Sequence, residues 1–205
     1  MMILKDEKSL KRYLQHLGPE VMVKIKKSQK LADIGCAKGQ LLRLLHSEFK
    51  KPKKNLYGFD SSKSFVKEAK KTFPCVYLWD FAKKQSPKQK FDVVFALDVL
   101  EHIGNPVRFL KNLASLMKKE SLLVLCTPNI NSLSYSIQKN RWFGFKDKTH
   151  KIFYCRASLS YLLEQNGLKI IKFKTISSSG FAFYNKVISA TGLGGQILLA
   201  AKRKI

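Results

Sequence analysis

Between Lys30 and Cys126, short apolar runs alternate with stretches in which apolar residues recur every three to four positions. The runs 31–34, 55–59, 76–79, 91–96 and 122–126 read as strands, and the stretches 39–49, 62–72 and 106–117 read as helices. Pro106 suits the first helical turn, where its missing N–H is no loss. Several of the runs are apolar throughout, so both faces of each strand are to be covered. This predicts a parallel sheet with helices on each side, a doubly wound α/β architecture. Upstream, Ile3, Leu4, Leu10, Tyr13, Leu14 and Leu17 keep helical spacing and stop at Gly18-Pro19, which predicts one amphipathic helix within residues 1–20 that caps the domain or meets the substrate. Downstream, 156–165 is a helix stopped by Asn166-Gly167. Runs 168–176 and 196–202, joined by a Ser- and Gly-rich loop, predict a hairpin that closes the sheet. The expectation is a single domain over 1–205 with a mostly parallel seven-stranded sheet and an antiparallel last strand.

In such a sheet the ligand lies beyond the carboxyl ends of the strands, at the point where the strand order reverses. The first strand runs into Asp33-Ile34-Gly35-Cys36-Ala37-Lys38-Gly39, an acid and a glycine turn that opens a helix. The acid can hold an amino group, and the glycines admit a ligand to the backbone. The Gly-x-Gly-x-x-Gly turn that seats a pyrophosphate is absent. The second strand ends at Asp60, where one carboxylate can accept two hydrogen bonds from a ribose diol. The third ends in Trp79-Asp80-Phe81, an acid for an exocyclic amine beside rings that can pack on a base. A single strand-terminal Asp can equally be a helix cap. Three in succession after a glycine turn point to a nucleoside.

These residues resemble the class I S-adenosylmethionine (SAM)-dependent methyltransferases, a Rossmann-like family. Asp33 to Gly39 is similar to their glycine motif, with Ala37 in place of the glycine usual there, Asp60 to their ribose acid and Asp80 to their adenine acid. The run Phe91-Asp92-Val93-Val94-Phe95-Ala96-Leu97-Asp98-Val99-Leu100-Glu101-His102 resembles their fourth-strand motif, in which the backbone near Leu97 passes the cofactor. The resemblance covers residues 28–203. Thr127-Pro128-Asn129, Arg141-Trp142-Phe143-Gly144 and Thr149-His150 narrow it toward the branch that includes the ubiquinone-biosynthesis O-methyltransferases. It implies SAM as cofactor, S-adenosylhomocysteine as product, and Asp33, Gly35, Cys36, Gly39, Asp60, Asp80, Phe81 and Leu97 as cofactor-binding residues.

Methyl transfer from a sulfonium needs an in-line approach, and a base only where the nucleophile is as weak as a hydroxyl. His102 and His150 are the candidate catalytic residues; His16 and His46 lie on helices away from the strand ends. Asp98, Glu101 and His102 offer oxygen and imidazole ligands suited to a divalent cation. The plainer reading, a polar start to the next helix, is preferred, and no metal ligand is assigned. Segment 129–151 mixes Tyr135, Trp142, Phe143 and Phe145 with lysines and Arg141. An irregular connection of that length beside the strand ends reads as a substrate lid, with Trp142 near the substrate.

The balance of 39 Lys and Arg against 14 Asp and Glu, a net charge of +25, raises nucleic acid and anionic membranes as partners. Lys26, Lys27, Lys30, Lys50, Lys51, Lys53, Lys54, Lys88, Lys90, Lys118 and Lys119 all precede strands, however, so they fall on the rear of a parallel sheet as a solvated surface. The basic and aromatic lid remains as the part suited to an anionic substrate or a membrane surface. The four cysteines are widely spaced, with no Cys-x-x-Cys pair, which fits neither a zinc site nor a disulfide framework. No leader is apparent and the apolar runs are too short for a membrane span, so a cytoplasmic protein is expected. The expected function is methyl transfer to a small-molecule or lipid-precursor acceptor. The alternatives are an RNA methyltransferase and a non-catalytic binding protein of the same fold.

Overall fold

The computed structural model describes residues 7–83, 87–177, 187, 188 and 190–204; Ile3, Leu4 and much of the Ser- and Gly-rich loop lie outside them. The strands are β1 (Leu31–Ile34), β2 (Leu56–Asp60), β3 (Val76–Leu78), β4 (Phe91–Leu97), β5 (Met117–Pro128), β6 (Leu168–Ile176) and β7 (Gln196–Arg203). They form one seven-stranded sheet in the order β3-β2-β1-β4-β5-β7-β6. β1 pairs in parallel with both β2 and β4, and β7 runs antiparallel to both β5 and β6. The strand order reverses at β1, so the crevice between β1 and β4 opens at their carboxyl ends.

The helices are α1 (Glu7–Gln15), α2 (Pro19–Lys27), α3 (Gln40–Ser47), α4 (Lys63–Lys70), α5 (Pro106–Leu116), α6 (Leu133–Gln138), α7 (Phe143–Lys146) and α8 (Arg156–Gln165). Alternate strand residues feed two cores. Val93, Phe95 and Leu97 of β4 pack with Leu10 and Leu14 of α1 and Leu41 of α3, whereas Val94 and Ala96 pack with Phe109 and Leu113 of α5 and Leu159 of α8. Phe91 joins the second layer although its parity matches Val93, because the register with β5 shifts between those two residues. No helix among the described residues is long and apolar enough to cross a membrane.

Three features depart from the sequence reading. The predicted single N-terminal helix is two. Gly18, at φ 86°, turns the chain, and Pro19 then begins α2, whose Val21 and Ile25 are buried. After a run at helical spacing Pro predicts a stop, yet at the first helical position it is a start signal. β5 begins five residues earlier than expected, at Met117, because Met117 pairs with Phe91 below the bulge. Lys51 is not part of the solvated rear surface. It is buried, and its ammonium donates to the Lys26 and Ser28 carbonyl oxygens at 2.5 Å each. Lys26, Lys27, Lys30, Lys50, Lys53, Lys54, Lys88, Lys90, Lys118 and Lys119 are exposed.

Candidate active site

The turn after β1 is dictated by backbone geometry. Gly35 has φ 75°, and a Cβ there would meet Val99 Cγ2 at 2.4 Å, so both conformation and space demand glycine. Gly39, at φ 79°, is the N-cap of α3. Between them Ala37 adopts φ 45°, a region that disfavours a side chain. Asp60 holds it there: Oδ2 accepts from the Ala37 N–H at 2.9 Å, and Oδ1 accepts from the Ser62 N–H at 2.8 Å.

Three adjoining cavities lie along the strand ends. The first, open to solvent, spans about 340 Å³ among Phe59, Asp60, Trp79, Asp80 and Phe81, with Gly35 at its edge. Phe81 meets Phe59 edge-on, ring centroids 5.4 Å apart, and Asp80 Oδ1 accepts from the Ala82 N–H at 2.9 Å. The second, open to solvent, spans about 490 Å³; Gly35 borders it too, and Asp33, Cys36, Leu97, Asp98 and Leu10 of α1 are among its walls. Asp33 is buried, and desolvation, followed by the nearby charge of Asp60, pushes its carboxyl well above the usual range. The Cys36 side chain turns into the core, so close to Gly58 that a Cβ there would lie 2.8 Å from its sulfur. Its thiol is raised by burial, which leaves its backbone as the part suited to a ligand.

The third cavity, about 280 Å³, shares Asp98 with the second and adds Glu101, His102, Phe143, His150 and Gln196. His102 and His150, 48 positions apart in the chain, stand with ring centroids 4.7 Å apart. Burial, followed by the neighbouring His150, lowers the His102 pKa and so favours the neutral ring at neutral pH. The Glu101 carboxylate is buried and accepts from Thr127 Oγ1 at 3.0 Å, and its own carbonyl receives the N–H groups of Lys151 and Ile152. Glu101, His102 and His150 each offer a ligand atom within 4.8 Å of the others, a set in which His150 stands where the sequence suggests Asp98. His46 and His16 stay outside: His46 Nδ1 is bonded to the Lys51 carbonyl, and His16 lies near Lys174.

Sequence reasoning missed the floor beneath these cavities. Asp98, at φ 53°, turns its Oδ1 to the Cys126 thiol, while Oδ2 is buried with no hydrogen-bond partner among the described residues. The Cys126 thiol also reaches Gln196 Oε1, to which the Tyr13 hydroxyl donates at 3.0 Å. Tyr13 sat in the apolar stripe of the first helix, and nothing local pairs it with Gln196.

Segment 129–151 is also more ordered than its sequence implied, since it contains α6, α7 and a 3-10 turn at Lys139–Arg141. Trp142 lines none of these three cavities. It is fully buried among Tyr135, Phe143, Phe145 and Phe153, and its Nε1 donates to Ser134 Oγ at 3.2 Å.

Residues 4–172 match the sequence model of the family described as a methyltransferase domain. The chain belongs to that family. It is a class I methyltransferase, the group whose methyl donor is SAM. A ubiquinone biosynthesis O-methyltransferase of Rhodopseudomonas palustris is 30% identical over 113 residues, 53% of this chain and 43% of that protein. A trans-aconitate 2-methyltransferase of Escherichia fergusonii is 29% identical over 100 residues, 48% of this chain and 39% of that one. The chain thus matches about two fifths of the length of these curated relatives. In structure, a SAM-dependent methyltransferase from Archaeoglobus fulgidus superposes with a TM-score of 0.71 at 22% identity, covering 98% of this chain and 96% of that chain. A magnesium protoporphyrin IX methyltransferase from Synechocystis, with S-adenosylhomocysteine bound, gives 0.66 at 20% identity, covering 97% and 83%. At these identities the two structures establish a shared fold.

Proposed function

We propose that this methyltransferase carries the SAM methyl group to a hydroxyl of a small-molecule or lipid-precursor acceptor. The observation that carries this reading is the convergence of His102 and His150 in the cavity next to the one lined by Asp33 and Gly35. Adenosine occupies the first cavity, with its ribose on Asp60 and its base between Asp80 and Phe81. The methionine portion follows in the second, with its ammonium on Asp33. The acceptor enters the third, roofed by Phe143 and His150 of a lid whose fold Trp142 holds together. As the acceptor oxygen bonds to the methyl carbon, the sulfonium bond breaks to leave neutral S-adenosylhomocysteine, and a His102 or His150 nitrogen takes the hydroxyl proton.

A second reading adds Glu101 to the two histidines. Glu101, His102 and His150 would hold a divalent cation, which would polarise the acceptor oxygen in place of a base.

Tritiated SAM offered to metabolite, lipid and RNA pools tests the proposal. Label in a metabolite or lipid fraction, lost in His102→Ala with SAM affinity kept, supports it. Activity abolished by EDTA and restored by a divalent cation selects the second reading. Label confined to RNA at about 0.15 M salt, and lost when exposed Lys50, Lys53 and Lys54 become Gln, would replace both with RNA methylation.

A further inference from the structure

We propose that Asp147 and Thr149 are positioning residues for His102: they form a hydrogen-bond relay that keeps the imidazole proton on Nδ1 and leaves Nε2 as the free lone pair. The inference rests on the reading above only in giving His102 a task; the relay itself follows from counting hydrogens.

Thr149 Oγ1 lies 2.6 Å from Asp147 Oδ1 and 2.8 Å from His102 Nδ1. A hydroxyl has one hydrogen to give and lone pairs to receive with, whereas an ionised carboxylate only receives. Asp147 is ionised at neutral pH, since the hydroxyl and the backbone N–H of Thr149 hold its carboxyl below the usual range. Two oxygen lone pairs cannot face each other at 2.6 Å, so the Thr149 hydrogen points to Asp147. Thr149 Oγ1 is then an acceptor toward His102, and the hydrogen between them belongs to Nδ1.

The local chain explains why the threonine is so placed. Asp147 Oδ1 also accepts the Thr149 backbone N–H at 2.9 Å, a tight side-chain turn that presents the hydroxyl to the neighbouring imidazole. Sequence spacing could not reveal this, because His102 follows β4 and Thr149 follows α7. His150 is fixed in the same sense by a different group. Its Nδ1 lies 2.7 Å from the Gly144 carbonyl oxygen, which only accepts, so that ring also carries its proton on Nδ1. His102 therefore keeps Nε2 for the reaction or for a cation, and the hydrogen bond at its far nitrogen sets that choice, while His150 Nε2 stands 3.9 Å from Asp147 Oδ2, the other oxygen of the relay carboxylate.

The test is histidine-selective nitrogen NMR at neutral pH, with the His102 signals assigned by their loss in His102→Gln. The wild-type protein should show His102 protonated on Nδ1. Asp147→Ala releases the Thr149 hydrogen to turn toward Nδ1, so the ring should move to the Nε2-protonated form. Thr149→Val should do likewise, and Thr149→Ser should restore the original form. In the methyl-transfer assay the two relay-breaking variants should lower kcat by about 10- to 100-fold with KM for SAM unchanged, and Thr149→Ser should recover most of it. His102 protonated on Nε2 in the wild type, or an unchanged tautomer in both Asp147→Ala and Thr149→Val, overturns the relay. The NMR signal reads the relay without reference to turnover. A fully active His102→Ala would instead reject the catalytic task and leave the tautomer result standing.

Discussion

The Asp60 carboxylate accepts the backbone N–H of Ala37 at 2.9 Å, joining the end of β2 to the turn after β1. The residue proposed to hold the ribose thus also holds the turn proposed to carry the methionine portion. With its other oxygen on the Ser62 N–H, it anchors the start of α4 as well.

Asp60→Ala should weaken SAM by about 2 to 4 kcal/mol, since charge-assisted hydrogen bonds contribute roughly 1.5 to 3 kcal/mol each and do not add fully. Because Ala37 loses its anchor, the ligand-free protein should melt earlier too. Calorimetric titration beside a thermal melt measures both. A folded variant with wild-type SAM affinity would remove Asp60 from the cofactor site.

Glu101 gives a pH dependence with a definite sign. Burial, then the charge of Asp98, raises its pKa from 4.5 to about 8. Between those values the folded chain binds more protons than the unfolded chain, so this group makes stability fall as pH rises through that window. Glu101→Gln keeps an acceptor for Thr127 and removes the titration. Its denaturation midpoint should therefore change less than that of the wild type from about pH 5 to about pH 8. A divalent cation on Glu101 would stabilise the ionised form, and adding it should then raise the wild-type midpoint but not that of the variant.

The lysines before β2 divide by burial. Lys51→Gln leaves the Lys26 and Ser28 carbonyl oxygens without their ammonium donor and should destabilise the fold by roughly 1.5 to 3 kcal/mol. Lys50, Lys53 and Lys54 to Gln should each stay within about 0.5 kcal/mol. Urea denaturation of the four single variants tests this; equal effects would return Lys51 to the surface.

Trp142→Ala empties the centre of the small aromatic core that segment 129–151 builds with Phe153. It should destabilise that unit by about 3 to 5 kcal/mol, with near-normal specific activity in whatever fraction stays folded at low temperature. Lost turnover in a variant that melts like the wild type would restore Trp142 to the substrate cavity.

The alternation of apolar runs and helical stretches determined the sheet, its hairpin closure and the strand-end positions of Asp33, Asp60 and Asp80. Each of those features is written within a few residues: a strand's parity, a glycine turn, an acid at a boundary. The limits of such local reading appear at Gly18-Pro19, where a turn between two helices carries the same letters as a helix end, and at Trp142, where a basic and aromatic stretch conceals a core of its own. Tertiary structure alone decided that His102 meets His150, that Thr149 stands between His102 and Asp147, that Tyr13 reaches Gln196, and that Lys51 is buried among ten exposed lysines. Apart from the local Asp147–Thr149 bond, these contacts join positions 47 to 183 residues apart or, for Lys51, depend on which carbonyl oxygens the end of α2 leaves open, and only the packing of the sheet and its covering helices fixes those distances.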